Sequence, residues 1–242
     1  MAPVKKEANL TRLFVVGFTV LIAAAFLRPR FAAAAADEKS ATKIVCVGDS
    51  ITFGAGTKSP RTDSYPAQLA RLLGKDYQVI NLGVSGTTML KEGDHPYWKT
   101  GQMKRALESK PDVVVIMLGT NDTKPQNWKF KDHYATDYKA MIAEFKKLDT
   151  KPKIFICLPP VVPKTGNFGI NEEGVREQIP MLRKLAEDEK VNVIDNYTPL
   201  KDKDDFLPDN VHPNTEGATL LAKSVYEALT GKKFEGDVPP TK

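Results

Sequence analysis

Residues 43–56 read Lys-Ile-Val-Cys-Val-Gly-Asp-Ser-Ile-Thr-Phe-Gly-Ala-Gly, and they organise the reading of everything downstream. Ile44, Val45, Cys46 and Val47 form a short continuous apolar run, as in a central parallel strand covered on both faces. Gly48 ends the run. Asp49 and Ser50 then fall at the strand's carboxyl end, where open α/β sheets build their ligand crevices. Ser50 is the candidate nucleophile. Taken alone, Gly-Asp-Ser is more often an ordinary turn, so the remaining segments must decide.

After this turn the chain alternates strand-like and helix-like segments. Residues 65–73 carry apolar side chains at helical spacing, with Gly74 as a stop, and 77–82 read as a second strand. A glycine-rich loop (83–96) and a helix (98–107) lead to a third strand over 112–118. Residues 125–132 read as loop, 133–147 as an amphipathic helix, and 153–158 as a fourth strand. The stretch 159–174, with three prolines and three glycines, reads as a loop that could wall a substrate site. A helix (177–190), a short fifth strand (191–194) and a last helix (214–229) follow, and the tail from 231 reads as polar and frayed. Such alternation predicts an α/β fold, a three-layer α/β/α sandwich with a five-stranded, mostly parallel sheet. Right-handed crossovers then bring all the strand carboxyl ends to one edge.

At 242 residues the chain has room for one sizeable domain, expected over 43–230, with a polar lead-in at 37–42 and a polar tail at 231–242. Residues 1–36 read as a secretory signal: Lys5, Lys6 and Arg12 precede an apolar run over 13–27, and small residues end at Ala36. The run is short for a bilayer span, which takes roughly 20 residues. Cleavage near Ala36 and export to the periplasm or beyond is therefore expected, an uncleaved anchor being the alternative that Arg28, Pro29 and Arg30 favour. Four of the five net positive charges lie in this leader. What remains carries interspersed lysines and acids and no basic patch, which argues against a nucleic-acid partner. Cys46 and Cys157 both sit in apolar runs and are expected as buried free thiols. No Cys/His spacing suggests a metal, and no cofactor is expected.

Three further segments fall where this topology brings them to the edge that holds Ser50. The second strand runs into Asn81-Leu-Gly-Val-Ser-Gly86, the third into Gly119-Thr-Asn-Asp122, and Asp209-Asn-Val-His212-Pro213 precedes the last helix. In this order the four blocks resemble those of the SGNH (GDSL-type) esterases and lipases, over essentially everything from 43 to 229. The resemblance implies Ser50 as nucleophile, His212 as base and Asp209 as its partner. It also implies an oxyanion hole made by the Ser50 and Gly86 backbone amides and the Asn121 side chain. Gly83 competes for the second-block role, and the position after Ser85 favours Gly86. Ile51 stands where the family name has leucine, a change of hydrophobe only.

The residue types suit acyl transfer. A serine hydroxyl needs a base to accept its proton during attack. An imidazole can take that proton and hand it to the leaving alkoxide, and an aspartate three residues away can orient the ring. Fixed donors stabilise the oxyanion without a metal. Asp49 and Asp122 are expected to be structural, Asp122 bracing the turn that presents Asn121. His95 and His133 are expected to lack functional partners. Tyr97, Trp98, Trp128 and Phe168 are candidates for stacking on a substrate, although packing is the commoner role. The expectation is a serine esterase acting on small-molecule or carbohydrate esters, favouring short-chain or acetyl groups because no long apolar lid is present and the wall includes Lys164, Thr165 and Asn167. Its rivals are a lysophospholipase or thioesterase, a metal-dependent phosphoesterase using Asp49, Asn121, Asp122 and His212, and a non-catalytic carbohydrate-binding scaffold. The phosphoesterase falls short of the several ligands a two-metal site needs.

Overall fold

The computed structural model describes residues 40–164 and 166–241. The expected secretory signal therefore lies outside the described residues, as does Thr165. The strands are β1 (Thr42–Gly48), β2 (Tyr77–Gly83), β3 (Val113–Met117), β4 (Lys153–Leu158) and β5 (Asn192–Asp195). The helices are α1 (Ser50–Phe53), α2 (Pro60–Asp63), α3 (Tyr65–Leu73), α4 (Gly101–Glu108), α5 (Pro125–Trp128), α6 (Tyr134–Lys146), α7 (Glu172–Glu189) and α8 (Thr215–Thr230). All five strands pair in parallel, in the order β2-β1-β3-β4-β5. The expected three-layer α/β/α sandwich is the observed one.

Strand periodicity explains the layers. In β1, Val45 and Val47 point into one core, with Val114 and Ile116 of β3 and side chains from α6 and α7. Ile44 and Cys46 point into the other, with Val115, Met117 and apolar residues of α3 and α8. Every second residue of a strand faces the same side, so one unbroken apolar run serves two cores. Cys46 and Cys157 are free and buried within the second core, and burial pushes the Cys46 thiol up to about 12.

The strand order places a topological switch beside β1. The chain leaves β1 for β2 on one side, then returns to β3 on the other, and this reversal opens a crevice at the strand carboxyl ends. The register puts Gly48 opposite both Gly83 and Met117, so β1, β2 and β3 end at the same level. Ser50 follows β1 and Asn121 follows β3, on the two sides of that crevice.

Three expectations need correction. The seventh helix begins at Glu172 rather than 177, because Asn171 caps it by accepting from the Gly174 amide and two glutamates fill its first turn. Residues 125–132 are not plain loop: Pro125 starts one helical turn, and 131–133 form a 3-10 turn. His133 stands at the start of α6 as an ordinary helix-end residue, its Nδ1 paired with the exposed Glu92 carboxylate. The tail is not frayed throughout. Phe234 packs edge-on against Tyr226, and Lys223 Nζ donates to the Gly236 carbonyl.

Candidate active site

Ser50 is the first residue of α1, immediately after its capping residue Asp49, whose side chain accepts from the Ile51 amide at 2.9 Å. The sharp strand-to-helix turn leaves the serine 6% exposed, with its Oγ 2.9 Å from His212 Nε2. On the far side of the ring, His212 Nδ1 lies 2.7 Å from Asp209 Oδ2. The same carboxylate takes the His212 and Val211 amides on Oδ1, at 2.7 and 3.0 Å. The Asp209–His212 turn thus closes on itself and fixes the ring.

Electrostatics set the tautomer. Burial acts to raise the Asp209 carboxyl, but the hydrogen bonds from the His212 main chain, the His212 ring and the Val211 amide outweigh it and hold the group below the usual carboxylate range. An ionised carboxylate only accepts, so Nδ1 carries the proton and Nε2 keeps a lone pair for the Ser50 hydroxyl. The His212 side chain is 16% exposed, so the ring sits at the rim of the crevice. Room for the turn comes from Gly56 at φ +91°, where a Cβ would lie 2.7 Å from the Pro213 carbonyl and 2.9 Å from His212 Cβ.

The other side of the crevice is built around Asn121, which is 3% exposed. Its Nδ2 donates to the Thr87 carbonyl at 3.2 Å and faces Asp49 Oδ2 at 3.4 Å, so the amide is oriented from two segments. Asp122 joins those segments: its oxygens accept from the Met89 and Leu90 amides at 2.9 and 2.7 Å. Burial pushes both Asp49 and Asp122 up to about 7, and for Asp49 the nearby Asp122 charge adds to the rise. Gly119, at φ +135°, admits no side chain, since a Cβ would stand 2.3 Å from the Tyr134 hydroxyl and 2.6 Å from Gln178 Oε1. That close approach lets Gln178 on α7 donate to the Gly119 carbonyl at 2.8 Å.

The two candidate glycines of the second block separate clearly. Gly83 ends β2 against α1, and a Cβ there would lie 2.1 Å from the Phe53 amide nitrogen. It is a packing glycine. Gly86 has φ +79° and open space about it, the nearest atom being His95 Nδ1 at 3.7 Å. Among the described residues, neither the Ser50 nor the Gly86 amide donates to another protein group, which leaves both free for a ligand oxygen.

Several supporting residues were not singled out in the sequence. Asn127, fully buried on α5, donates to the Asn121 carbonyl at 2.9 Å and to Asp94 Oδ1 at 3.0 Å, and accepts from the Asp94 amide. Asn171 Nδ2 donates to the Thr123 carbonyl at 2.7 Å. An asparagine in a Pro- and Lys-rich stretch looks like any turn residue. The four stacking candidates also sort themselves. Tyr97 donates to the Leu82 carbonyl, Trp98 to the Met89 carbonyl and Trp128 to Glu177, so these three are structural. Phe168 alone is exposed beside the site. Among the described residues, no group of three or more His, Cys, Asp or Glu side chains is arranged to hold a metal ion.

Comparison with known proteins gives a concordant picture. The chain is 36% identical over 213 residues to an acetylxylan esterase of Xylanibacter ruminicola, a match covering 80% of this chain and 44% of that protein. It is 32% identical over 146 residues to the cellulase/esterase CelE of Acetivibrio thermocellus, covering 51% of this chain and 18% of that one. The chain thus spans less than half the length of these relatives. Among solved structures, Est24, a carbohydrate acetylesterase from Sinorhizobium meliloti, superposes with a TM-score of 0.67 at 24% identity over 78% of this chain and 99% of its own, a likeness of fold. The family model described as GDSL-like lipase/acylhydrolase matches residues 46–220, from β1 into α8, and the chain belongs to that family.

Proposed function

We propose that this protein is a serine esterase that hydrolyses short-chain or acetyl esters on carbohydrate through an acyl-enzyme. The observation that carries the reading is the continuous hydrogen-bonded line from Ser50 Oγ through His212 to Asp209, with links of 2.9 and 2.7 Å. In the first step Ser50 Oγ attacks the ester carbonyl carbon while its proton passes to His212 Nε2. The carbonyl oxygen becomes an oxyanion received by the Ser50 and Gly86 amides and by Asn121 Nδ2, which exchanges its long 3.4 Å contact to Asp49 Oδ2 for the oxyanion and keeps the Thr87 carbonyl. Collapse breaks the carbon–alkoxide bond, and His212 returns the proton to the departing alcohol. Water then enters and attacks the acyl carbon while giving a proton to His212; the carbon–Oγ bond breaks, His212 passes that proton to Ser50 Oγ, and the acid and free Ser50 are released.

The substrate class rests on two supports. The family relatives named above include an acetylxylan esterase. A long acyl chain needs a contiguous apolar channel, and the exposed large hydrophobics among the described residues are Phe53 and Phe168. A cavity of about 820 Å³ does exist, but it lies between α2, α3, β2 and residues 239–241 and contains none of the site residues. The leader composition supports export, and no helix among the described residues is long and apolar enough to cross a membrane.

Hydrolysis of p-nitrophenyl esters of graded acyl length, followed by acetylated xylo-oligosaccharides, tests the assignment. The expected result is a maximum of kcat/KM at acetate or propionate, with a fall of about tenfold or more by octanoate. A kcat/KM that climbs with chain length would instead support a lipase or lysophospholipase.

A further inference from the structure

Phe168 is 58% exposed, more than any other large hydrophobic described. Its ring centroid stands 5.7 Å from that of His212, with the planes inclined at 51°. A bulky residue rarely adopts positive φ, yet Phe168 has φ +54°. The surrounding loop enforces that conformation. Asn167 Oδ1 accepts from the Phe168 amide at 2.8 Å, and Asn167 Nδ2 donates to the Asp209 carbonyl at 3.2 Å. Residues 167 and 170 form an antiparallel bridge. Val162 and Ile170, on either side of the tip, are buried with Val175 and with Val211 of the catalytic turn. The loop is therefore anchored to the turn that carries His212, while its aromatic tip leaves more than half of its surface in solvent.

The chemistry says which part of an ester meets this ring. His212 must reach the alkoxide to protonate it as it leaves, so the imidazole marks the alcohol side of the scissile bond. A group beside the imidazole borders the alcohol, whereas the acyl group lies toward the oxyanion donors. We propose that Phe168 is a specificity-determining residue that stacks on the ring of the alcohol moiety, a pyranose, and so selects esters of cyclic sugars over esters of open-chain alcohols. A flat aromatic face matches the C–H face of a pyranose and supplies contact area at little cost in side-chain freedom. This inference rests on the esterase reading above.

The test holds the acyl group constant. Acetylated methyl xylopyranoside and glycerol triacetate generate the same acetyl-enzyme, so deacylation and any acyl-pocket contact cancel in the ratio of their kcat/KM values. Phe168→Ala is expected to lower that ratio about tenfold, which corresponds to ~1.4 kcal/mol, with Phe168→Tyr restoring it. A structural role for Phe168 would reduce both values together and leave the ratio unmoved. An unmoved ratio in a variant made from active wild-type protein overturns this inference alone. Wild-type protein that cleaves neither ester overturns the esterase reading and this inference with it.

Discussion

Replacing Ser50 with alanine is expected to lower kcat for ester hydrolysis by about 10⁴- to 10⁶-fold, the scale on which removing a triad nucleophile acts. The change deletes the atom proposed to form the acyl-enzyme, while the amides of residues 50 and 86 and the Asn121 side chain stay in place. KM for the ester should move little, and whatever activity remains over background would be the share contributed by binding and the oxyanion donors. The folded state should tolerate the change. Among the described residues Ser50 Oγ has one polar partner, His212 Nε2, and that ring keeps its bond to Asp209. Steady-state kinetics on an acetyl ester, with thermal unfolding alongside, make the comparison. A variant that retains more than about a hundredth of wild-type kcat would place the nucleophile elsewhere.

Asn121→Ala should cost about 10²- to 10³-fold in kcat, the usual consequence of losing one oxyanion donor. Because the negative charge exists only as attack proceeds, the loss should fall on kcat and leave KM largely intact. The substitution also has a structural consequence. It strips the Thr87 carbonyl of the Nδ2 donor and removes one of the donors that face the buried Asp49 carboxyl. An unsatisfied buried acceptor costs about 1–3 kcal/mol, so some loss of thermal stability should accompany the kinetic defect. The two effects separate in the assay: a purely structural loss lowers the active fraction, which active-site titration counts, whereas a lost donor lowers turnover per titrated site. Full turnover per site in Asn121→Ala would remove the side chain from the oxyanion hole while leaving the Ser50–His212–Asp209 line intact.

How far the sequence foretold this arrangement depends on the range over which each feature is determined. The run from Ile44 to Val47 declared a doubly covered strand because burial on both faces demands apolar residues at every position, a requirement visible within four residues. The four site segments were legible for a related reason: each sits directly after a strand or before a helix, where the parallel topology converges. The start of α7 was not. Gly174 looks like a helix breaker, and only the folded chain reveals that it lies where α7 presses on the third-block turn, with Thr123 Cβ 2.7 Å from where a side chain would begin. The Asn171 cap was the local signal that could have overridden it. The Glu92–His133 pair and the Asn127 clasp join residues dozens of positions apart through loops without periodicity, and no local pattern announces them. Phe168 shows the same limit from the other side. Four aromatics were equivalent on paper, and burial with hydrogen bonding removed three.

Reaction of the wild-type protein with a fluorophosphonate, followed by intact mass and peptide mapping, addresses the proposed chemistry most directly. The reagent phosphonylates a serine only when a neighbouring base has made it nucleophilic and donors receive the phosphoryl oxygen. One adduct per chain is expected, on the peptide containing Ser50, and it should be absent from Ser50→Ala. Folded protein that takes no label, or takes it at a serine other than Ser50, would contradict the assignment of Ser50 as the nucleophile of an esterase.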